Sequence, residues 1–566
     1  VSTSSTKSGK TAQAKNRGGQ SKYSRNEPEV PIAAEQDVPE KVWRIGVLVI
    51  FLIAALLRLY DLNLVPLHHD EGVNGNFLVR LVREGAYTYD PANYHGPTLY
   101  YFSAIIPWFA KVLFGNTARD NYGLTTFTIR LVPVVFGLAT IWLIFLLRRR
   151  LGTVATLAAG LMLAVSPGAV YLSRYFIHET LFVFFTLGIV VAAVWFYDER
   201  NPAYLVPGAA CAALLFATKE TAFISVGVLI IALVAVWLYM SLFGDLGSNP
   251  YAKGKRAPQR LSAVINELGG RTSLALNLAL AAGVFITLYV LFYTSFFTNN
   301  KGFMDSLQTF AVWTKTGKEA HVHPAEQYLV WLTKQESPLL FLGAIGAAIA
   351  ALRPKNRLAL FCGLWSFGLI AAYSLIGYKT PWLVLNFIVP LALIAGYALQ
   401  AIYEMDHRQL RLAAVILLVA VGVAFYQSVD LNFKNYDNDD TKYVYVYAHT
   451  KRSIHDLVKE VDLIAKQNSG NSTGITIVSP DYWPLPWYFR NYTRVGYYGQ
   501  MAAASEPIII ANANQKDEVE TNYGHFYQQV TGPQPGGTFE LRPGVHLLLY
   551  KRRSSAPQSI PQSIRP

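Results

Sequence analysis

Long apolar runs, separated by short polar and often basic connections, set the pattern of the chain from residue 43 to residue 428. A membrane-crossing helix needs about 20 mostly apolar residues. Twelve runs approach that length: 43–60, 98–115, 124–147, 152–171, 180–197, 203–218, 222–244, 273–298, 337–352, 358–376, 381–403 and 412–428. Beyond 428 the periodicity changes. Ile454, Leu457, Val458, Val461 and Ile464 recur at helical spacing, whereas Ile475 to Val478, Ile508 to Ile510 and Val545 to Tyr550 read as strands. The predicted fold is therefore an all-α polytopic membrane domain over 43–428, with an outer loop at 61–123, followed by a small α/β domain over 429–552. Residues 1–42 and 553–566 lack periodic apolar spacing and read as disordered tails. The first run follows a long polar tail without an A-x-A cleavage site, so it is expected to be a retained helix rather than a signal peptide.

The number of crossings turns on the run 98–115. If it crosses, the clusters Arg148-Arg149-Arg150, Lys253 to Arg260 and Arg353 to Arg357 emerge opposite the basic N-terminal tail. If it lies in the interface or re-enters, all three join the tail on one side. Short Lys/Arg-rich connections favour the cytoplasm. The run also holds Pro107, Lys111 and a set of aromatic residues suited to an interfacial belt. About eleven spans follow, in a multi-pass protein of the cell membrane with a cytoplasmic N-terminus and an extracytoplasmic C-terminal domain.

Composition agrees with lipid as the solvent: 52% of residues are hydrophobic and 15% charged, against about 25% charged in soluble domains. The net charge of +13 sits largely in the tail (Lys7, Lys10, Lys15, Arg17, Lys22, Arg25) and between apolar runs. That placement suits topology signals and anionic headgroups, and argues against nucleic acid as a partner. Cys211 and Cys362 both lie in apolar runs and read as free packing residues. The chain has no P-loop, dinucleotide fingerprint, CxxC or HExxH, which disfavours an ATP-driven transporter and a zincin protease.

On the predicted topology the chemistry-bearing residues gather on the outer face: His68 to Glu71, Tyr94 to Pro97, Arg174 to Glu179, Lys219-Glu220 and Tyr378 to Pro381. Several ionisable groups on one side of a membrane domain imply a shared aqueous cavity. Asp70 and Glu71 suit a general base; equally, they suit an N-cap and first-turn acid for a helix over 72–83. His68, His69 and His95 offer a divalent metal site, although adjacent His-His-Asp-Glu residues cannot all face one ion. Arg174 is either a phosphate clamp or a snorkelling arginine, and Lys219 with Glu220 reads as an ion pair. Thr380 suits an N-cap and Pro381 the first helical position, which would put a helix N-terminus beside Lys379 and favour an anion. The aromatic segment Pro480 to Tyr498 reads as packed core, or as a surface toward membrane or glycan.

The acidic pair in the first outer loop, the HGPTLYY segment from His95, the R-x-x-x-H-E pattern from Arg174 to Glu179 and YKTPW from Tyr378 together resemble the GT-C glycosyltransferases. These include the protein O-mannosyltransferases and aminoarabinose lipid A transferases. The likeness runs from residue 43 to about 500 and is greatest to a flippase-activity-associated branch linked to archaeal N-glycosylation. It implies a polyprenyl-phosphate-linked sugar as donor and a glycan, lipid or protein acceptor of unknown identity, with membrane lipids as surroundings. Asp70, with Glu71 beside it, would serve the acceptor, and Arg174, Lys379 and Lys219 would hold the donor phosphate. His95, His178, Glu179 and Tyr378 would orient the substrates. A phosphate leaving group needs one base and cationic stabilisation, which predicts an inverting transfer. No cofactor is required on this reading, apart from the metal considered above. A helper in lipid-linked sugar translocation and a non-catalytic assembly subunit are the alternatives.

Overall fold

The computed structural model describes residues 38–553 except 86, 94, 244–264, 266–269, 320 and 406–408. The basic tail, the Lys253 to Arg260 cluster, Tyr94 and residues 554–566 fall outside the described residues. Among the described residues, eight helices are long and apolar enough to cross a membrane, and two bent helix pairs raise that to ten. The eleventh expected span, 203–218, is the shorter helix Pro202–Phe216. The bends have local causes. Ser166, extended at ψ 126°, precedes Pro167 and breaks Thr153–Val165 from Pro167–Ser173 by 61°, as expected for a residue held out of the α region by the proline after it. Gln327–Gln335 and Ser337–Leu352 diverge by 112° at Glu336, just ahead of Pro338.

The helix Pro381–Met405 is the pillar of the bundle, 94% of its apolar window being buried. Glycines let its neighbours approach: a Cβ on Gly396 would stand 2.2 Å from the Ala155 carbonyl oxygen, and one on Gly346 would stand 2.1 Å from that of Ile394. Both cysteines are free.

Two contacts settle the parity of the first crossings. Arg148 reaches Glu40 at 2.8 Å, and Asn356 donates to the Arg150 carbonyl at 2.6 Å. Residues 148–150 and 353–357 therefore share the end of the bundle at which Glu40–Leu59 begins. A chain that starts at Glu40 and is back beside it at Arg148 has crossed twice, through Glu40–Leu59 and Thr126–Phe145. The helix Thr98–Phe114 adds no third crossing. It buries Leu99, Tyr100, Ser103 and Pro107 and leaves Ile105, Trp108, Phe109, Val112 and Leu113 exposed as one apolar stripe, the spacing of an amphipathic helix.

The C-terminal region holds one six-stranded mixed sheet of β1 (Ile475–Ile477), β2 (Val495–Tyr497), β3 (Ile508–Asn512), β4 (Tyr527–Val530), β5 (Phe539–Arg542) and β6 (Val545–Arg552). Its order is β2-β1-β3-β6-β4, with β5 also on β6; β1 runs parallel to β2 and β3, and the other pairs are antiparallel. Alternation sorts the side chains to two faces. Ile475, Ile477, Leu547 and Leu549 meet Ile454, Leu457 and Val461 of helix Ile454–Lys466, while Leu548 and Tyr550 meet Val519 and Tyr523 of Lys516–Tyr523. Strands β2, β4 and β5 are short and carry Gly, Gln or charged residues, so they leave no strand pattern in the sequence.

The aromatic segment docks this domain onto the first loop. Leu485, Trp487 and Phe489 are buried. Trp487 lies against Gly75 and Pro484 against Gly72, where a Cβ would meet them at 2.6 and 2.5 Å. Arg490 donates to the Leu124 carbonyl, and Tyr488 accepts from the Leu67 amide at 3.0 Å. Most of this segment is thus core at a domain junction, whereas Tyr498 is exposed.

Candidate active site

The helix His69–Glu84 begins with a reciprocal cap. His68 accepts the Asp70 amide on Nδ1 at 3.1 Å, and the Glu71 carboxylate accepts the His68 amide at 3.1 Å. The N-cap is therefore His68, and Asp70 is the second residue of the helix rather than its cap. Successive helical residues point about 100° apart, so the acidic pair divides. Glu71 turns inward and receives Arg130 Nε and Nη2 at 2.8 and 2.7 Å, together with the Phe176 amide at 2.8 Å. The remaining Arg130 donors go to the carbonyls of Leu62, Val65 and Pro66.

Asp70 turns the other way, into a cavity of about 260 Å³. The helix start supplies His69, Asp70 and Asn74; the rest of the first loop supplies Asn93 and His95. Glu179, Lys219 and Glu220 close one side, and His321, Tyr378 and Trp382 the other. Six of the expected site residues, His69, Asp70, His95, Glu179, Lys219 and Tyr378, thus meet around one space from four separate segments of the chain.

Charge pairing inside the cavity is specific. Lys219 Nζ donates to Glu179 at 2.6 Å, not to its neighbour Glu220, which instead faces His95 Nδ1 at 3.1 Å. Burial by itself would lower the Lys219 pKa, but the carboxylates of Glu179 and Glu220 outweigh it and hold the ammonium above its ordinary range. The Asp70 side chain is 41% exposed, and its nearest basic group is the His68 ring at 3.8 Å. Burial first, then His69 beside it, depresses the His68 pKa to about 3, so that ring is neutral. Of the four carboxylates at the site, Glu71, Glu179 and Glu220 each have a close partner. Asp70 is the one left open among the described residues.

The other expected site residues lie outside the cavity lining. Arg174 donates to the carbonyls of Leu57, Arg58, Tyr60 and Asp61, closing the end of Glu40–Leu59. Lys379 is held by the carbonyls of Ile376 and His323, although Tyr378 and Trp382 on either side of it face the cavity. Thr380 does occupy the N-cap with Pro381 next, but its hydroxyl caps nothing and the helix opens as a 3-10 turn. His178 is buried, its Nε2 against the Gly96 carbonyl at 3.0 Å and its ring 5.0 Å from that of His95. The three histidines considered for a metal have separate partners: His68 the Tyr447 carbonyl, His69 the Trp483 ring, His95 the Glu220 carboxylate. Among the described residues no three His, Cys, Asp or Glu side chains form a metal-ligand set.

Sequence reasoning missed Arg130, His321 and Trp382. A lone arginine inside the apolar run 124–147 was the available signal for Arg130. Trp382 closes the YKTPW segment but was given no role of its own, and His321 carries no local pattern.

Residues 105–245 match the family model described as dolichyl-phosphate-mannose-protein mannosyltransferase. No curated protein matches the chain. Among solved structures the chain is similar to ArnT from Cupriavidus metallidurans bound to undecaprenyl phosphate, at 14% identity and a TM-score of 0.57, over 92% of this chain and 99% of that one. It is also similar to the oligosaccharyltransferase AglB from Archaeoglobus fulgidus in complex with an inhibitory peptide and a dolichol-phosphate, at 13% identity and a TM-score of 0.50, over 92% of this chain and 75% of that one. The chain has the GT-C fold of membrane glycosyltransferases. The family match spans Arg130, Glu179 and Lys219 but begins after Asp70.

Proposed function

We propose that this chain is a membrane glycosyltransferase that moves a sugar from a polyprenyl-phosphate donor to an acceptor hydroxyl in the Asp70 cavity. One observation carries the reading: an open carboxylate and a held ammonium face the same space, while every other carboxylate there is occupied. Asp70 takes the acceptor proton, the acceptor oxygen bonds to the anomeric carbon, and the bond from that carbon to the phosphate oxygen breaks. The phosphate leaves with the electron pair, and the configuration inverts. A single base and a cation suffice because phosphate departs as a stable anion.

Lys219, oriented by Glu179, is the cation assigned to the phosphate. His95, oriented by Glu220, and Tyr378 position the substrates. Glu71 and Arg174 act on the frame instead: Glu71 through Arg130, and Arg174 through the end of the first helix. Lys379 sets the position of Tyr378 and Trp382.

The undecaprenyl phosphate and dolichol-phosphate bound by the two similar structures support the class of donor. The basic residues at the opposite end of the bundle support a cavity on the extracytoplasmic face, together with the C-terminal domain. The reading is tested by release of polyprenyl phosphate from a polyprenyl-phosphate sugar by the purified protein, with membrane extract as the source of acceptor. Turnover that requires both Asp70 and Lys219 supports it; absence of turnover in wild type counts against it.

A further inference from the structure

The end of the bundle farthest from Asp70 carries a second recess that sugar transfer does not use. The ends of Glu40–Leu59, Thr126–Phe145 and Glu179–Glu199 border a groove of about 350 Å³ between Trp43, Trp142 and Trp195, closed at its polar end by Arg148, Arg149 and Arg150. Trp142 is half exposed on the outside of the bundle, so the groove opens toward the surrounding membrane. Tryptophan at a helix end is the side chain best suited to the boundary between acyl chain and headgroup.

The arginines are not equivalent. Arg150 is committed to Asp198. The Arg148 guanidinium lies 4.3 Å over the Trp43 ring, and its Nη1 and Nε engage Glu40 and Thr153 at 2.8 and 3.0 Å. Its Nη2 is buried with no hydrogen-bond partner among the described residues. A buried charged donor left unpaired is unfavourable, and an anionic oxygen would satisfy it. Arg149 is 86% exposed and pairs with Glu199 at 3.7 Å. The acidic residues nearby are all occupied: Glu40 by Arg44 and Arg148, Asp198 by Arg150, and Glu199 by Tyr204 and Arg149. Lys41, Arg44 and Arg200 leave this end basic.

We propose that this groove is a binding site for an anionic membrane phospholipid. Its phosphate meets Arg148 Nη2 and Arg149, and the upper part of an acyl chain lies along Trp43 and Trp142. Paired basic side chains beside a recess between membrane helices provide the charge, and the tryptophan walls select a lipid over a free anion.

The test is native mass spectrometry of the purified full-length protein with phosphatidylglycerol or phosphatidylcholine of identical acyl chains, with and without inorganic phosphate as competitor. Wild type is expected to retain phosphatidylglycerol at least about tenfold more than phosphatidylcholine, and inorganic phosphate is expected not to displace it. Arg149→Ala, at a position too exposed to threaten folding, is expected to lower that retention about fivefold. Trp142→Ala is expected to weaken both lipids. Equal retention of the two lipids by wild type, an undiminished preference in Arg149→Ala, or displacement by inorganic phosphate would each overturn the proposal.

Discussion

Glu71 and Arg130 meet through two hydrogen bonds, at 2.8 and 2.7 Å, with both side chains almost wholly out of solvent. This contact ties the helix that carries Asp70 to the second crossing of the bundle, and it removes one member of the acidic pair from the chemistry.

Breaking that pair from one side should unfold the frame rather than merely slow the reaction. Glu71→Gln and Arg130→Met are each expected to lower stability by about 3–5 kcal/mol, because each leaves an uncompensated buried charge. The double variant is expected to be less destabilised than the sum of the two. Thermal unfolding in detergent across the double-mutant cycle measures this, and additive losses would count against the coupling.

The junction between the two domains rests on two glycines. Gly75→Leu is expected to drive Trp487 out of its seat, since even a Cβ there would stand 2.6 Å from the indole. Overpacking of this kind costs about 1–3 kcal/mol. Faster proteolysis of the C-terminal domain, with the membrane helices still intact, would report the loosened junction.

Acid should loosen the same region through two histidines. His68 and His449 are buried with rings 5.3 Å apart, and burial depresses both to about 3 from the ordinary 6.5. The unfolded chain then binds more protons than the folded one between pH 6.5 and about 3. Their contribution to stability is complete above pH 6.5 and is lost on acidification through that window, by about 1.4 kcal/mol per pH unit for each histidine. His68→Asn, which keeps a side chain able to cap the helix, is expected to flatten the decline of unfolding temperature between pH 7 and pH 5. A slope equal to that of wild type would contradict this assignment.

Arg174 and Lys219 separate frame from chemistry. Arg174→Ala strips a charged donor from four carbonyls and is expected to cost about 1–3 kcal/mol of stability, with turnover per folded molecule nearly unchanged. Lys219→Met, which also leaves the buried Glu179 carboxylate unpaired and so lowers stability, is expected to lower kcat per folded molecule about a hundredfold, and Lys219→Arg to recover part of both. Measured kcat beside unfolding temperature distinguishes the two residues.

Much of this arrangement was legible in the chain. The apolar runs placed the helices because lipid demands length and apolarity at once, and the basic clusters resolved the parity of Thr98–Phe114. Asp70, Glu179, Lys219, His95 and Tyr378 stood out as ionisable or polar groups at helix ends on one side. Pairing was not legible. Lys219 is adjacent to Glu220 in the chain yet binds Glu179, forty residues away, because the helix start at Glu179 faces the turn at 217–221. Arg174 and Lys379 fill carbonyls that no sequence pattern reveals. Asp70 and Glu71 part company only because a helix turns by 100° per residue and Arg130 waits on one side.

If Asp70 is the base of a sugar transfer, turnover of a polyprenyl-phosphate sugar must differ between wild type and Asp70→Asn. Both proteins would be purified and checked for equal unfolding temperature, then supplied with the same donor and acceptor-containing membrane extract. The expected result is a loss of about 10²–10⁴ in kcat for Asp70→Asn, the range of a removed general base, with donor binding retained. Equal turnover in the two would contradict the claim and favour a translocation helper or an assembly subunit built on the same fold.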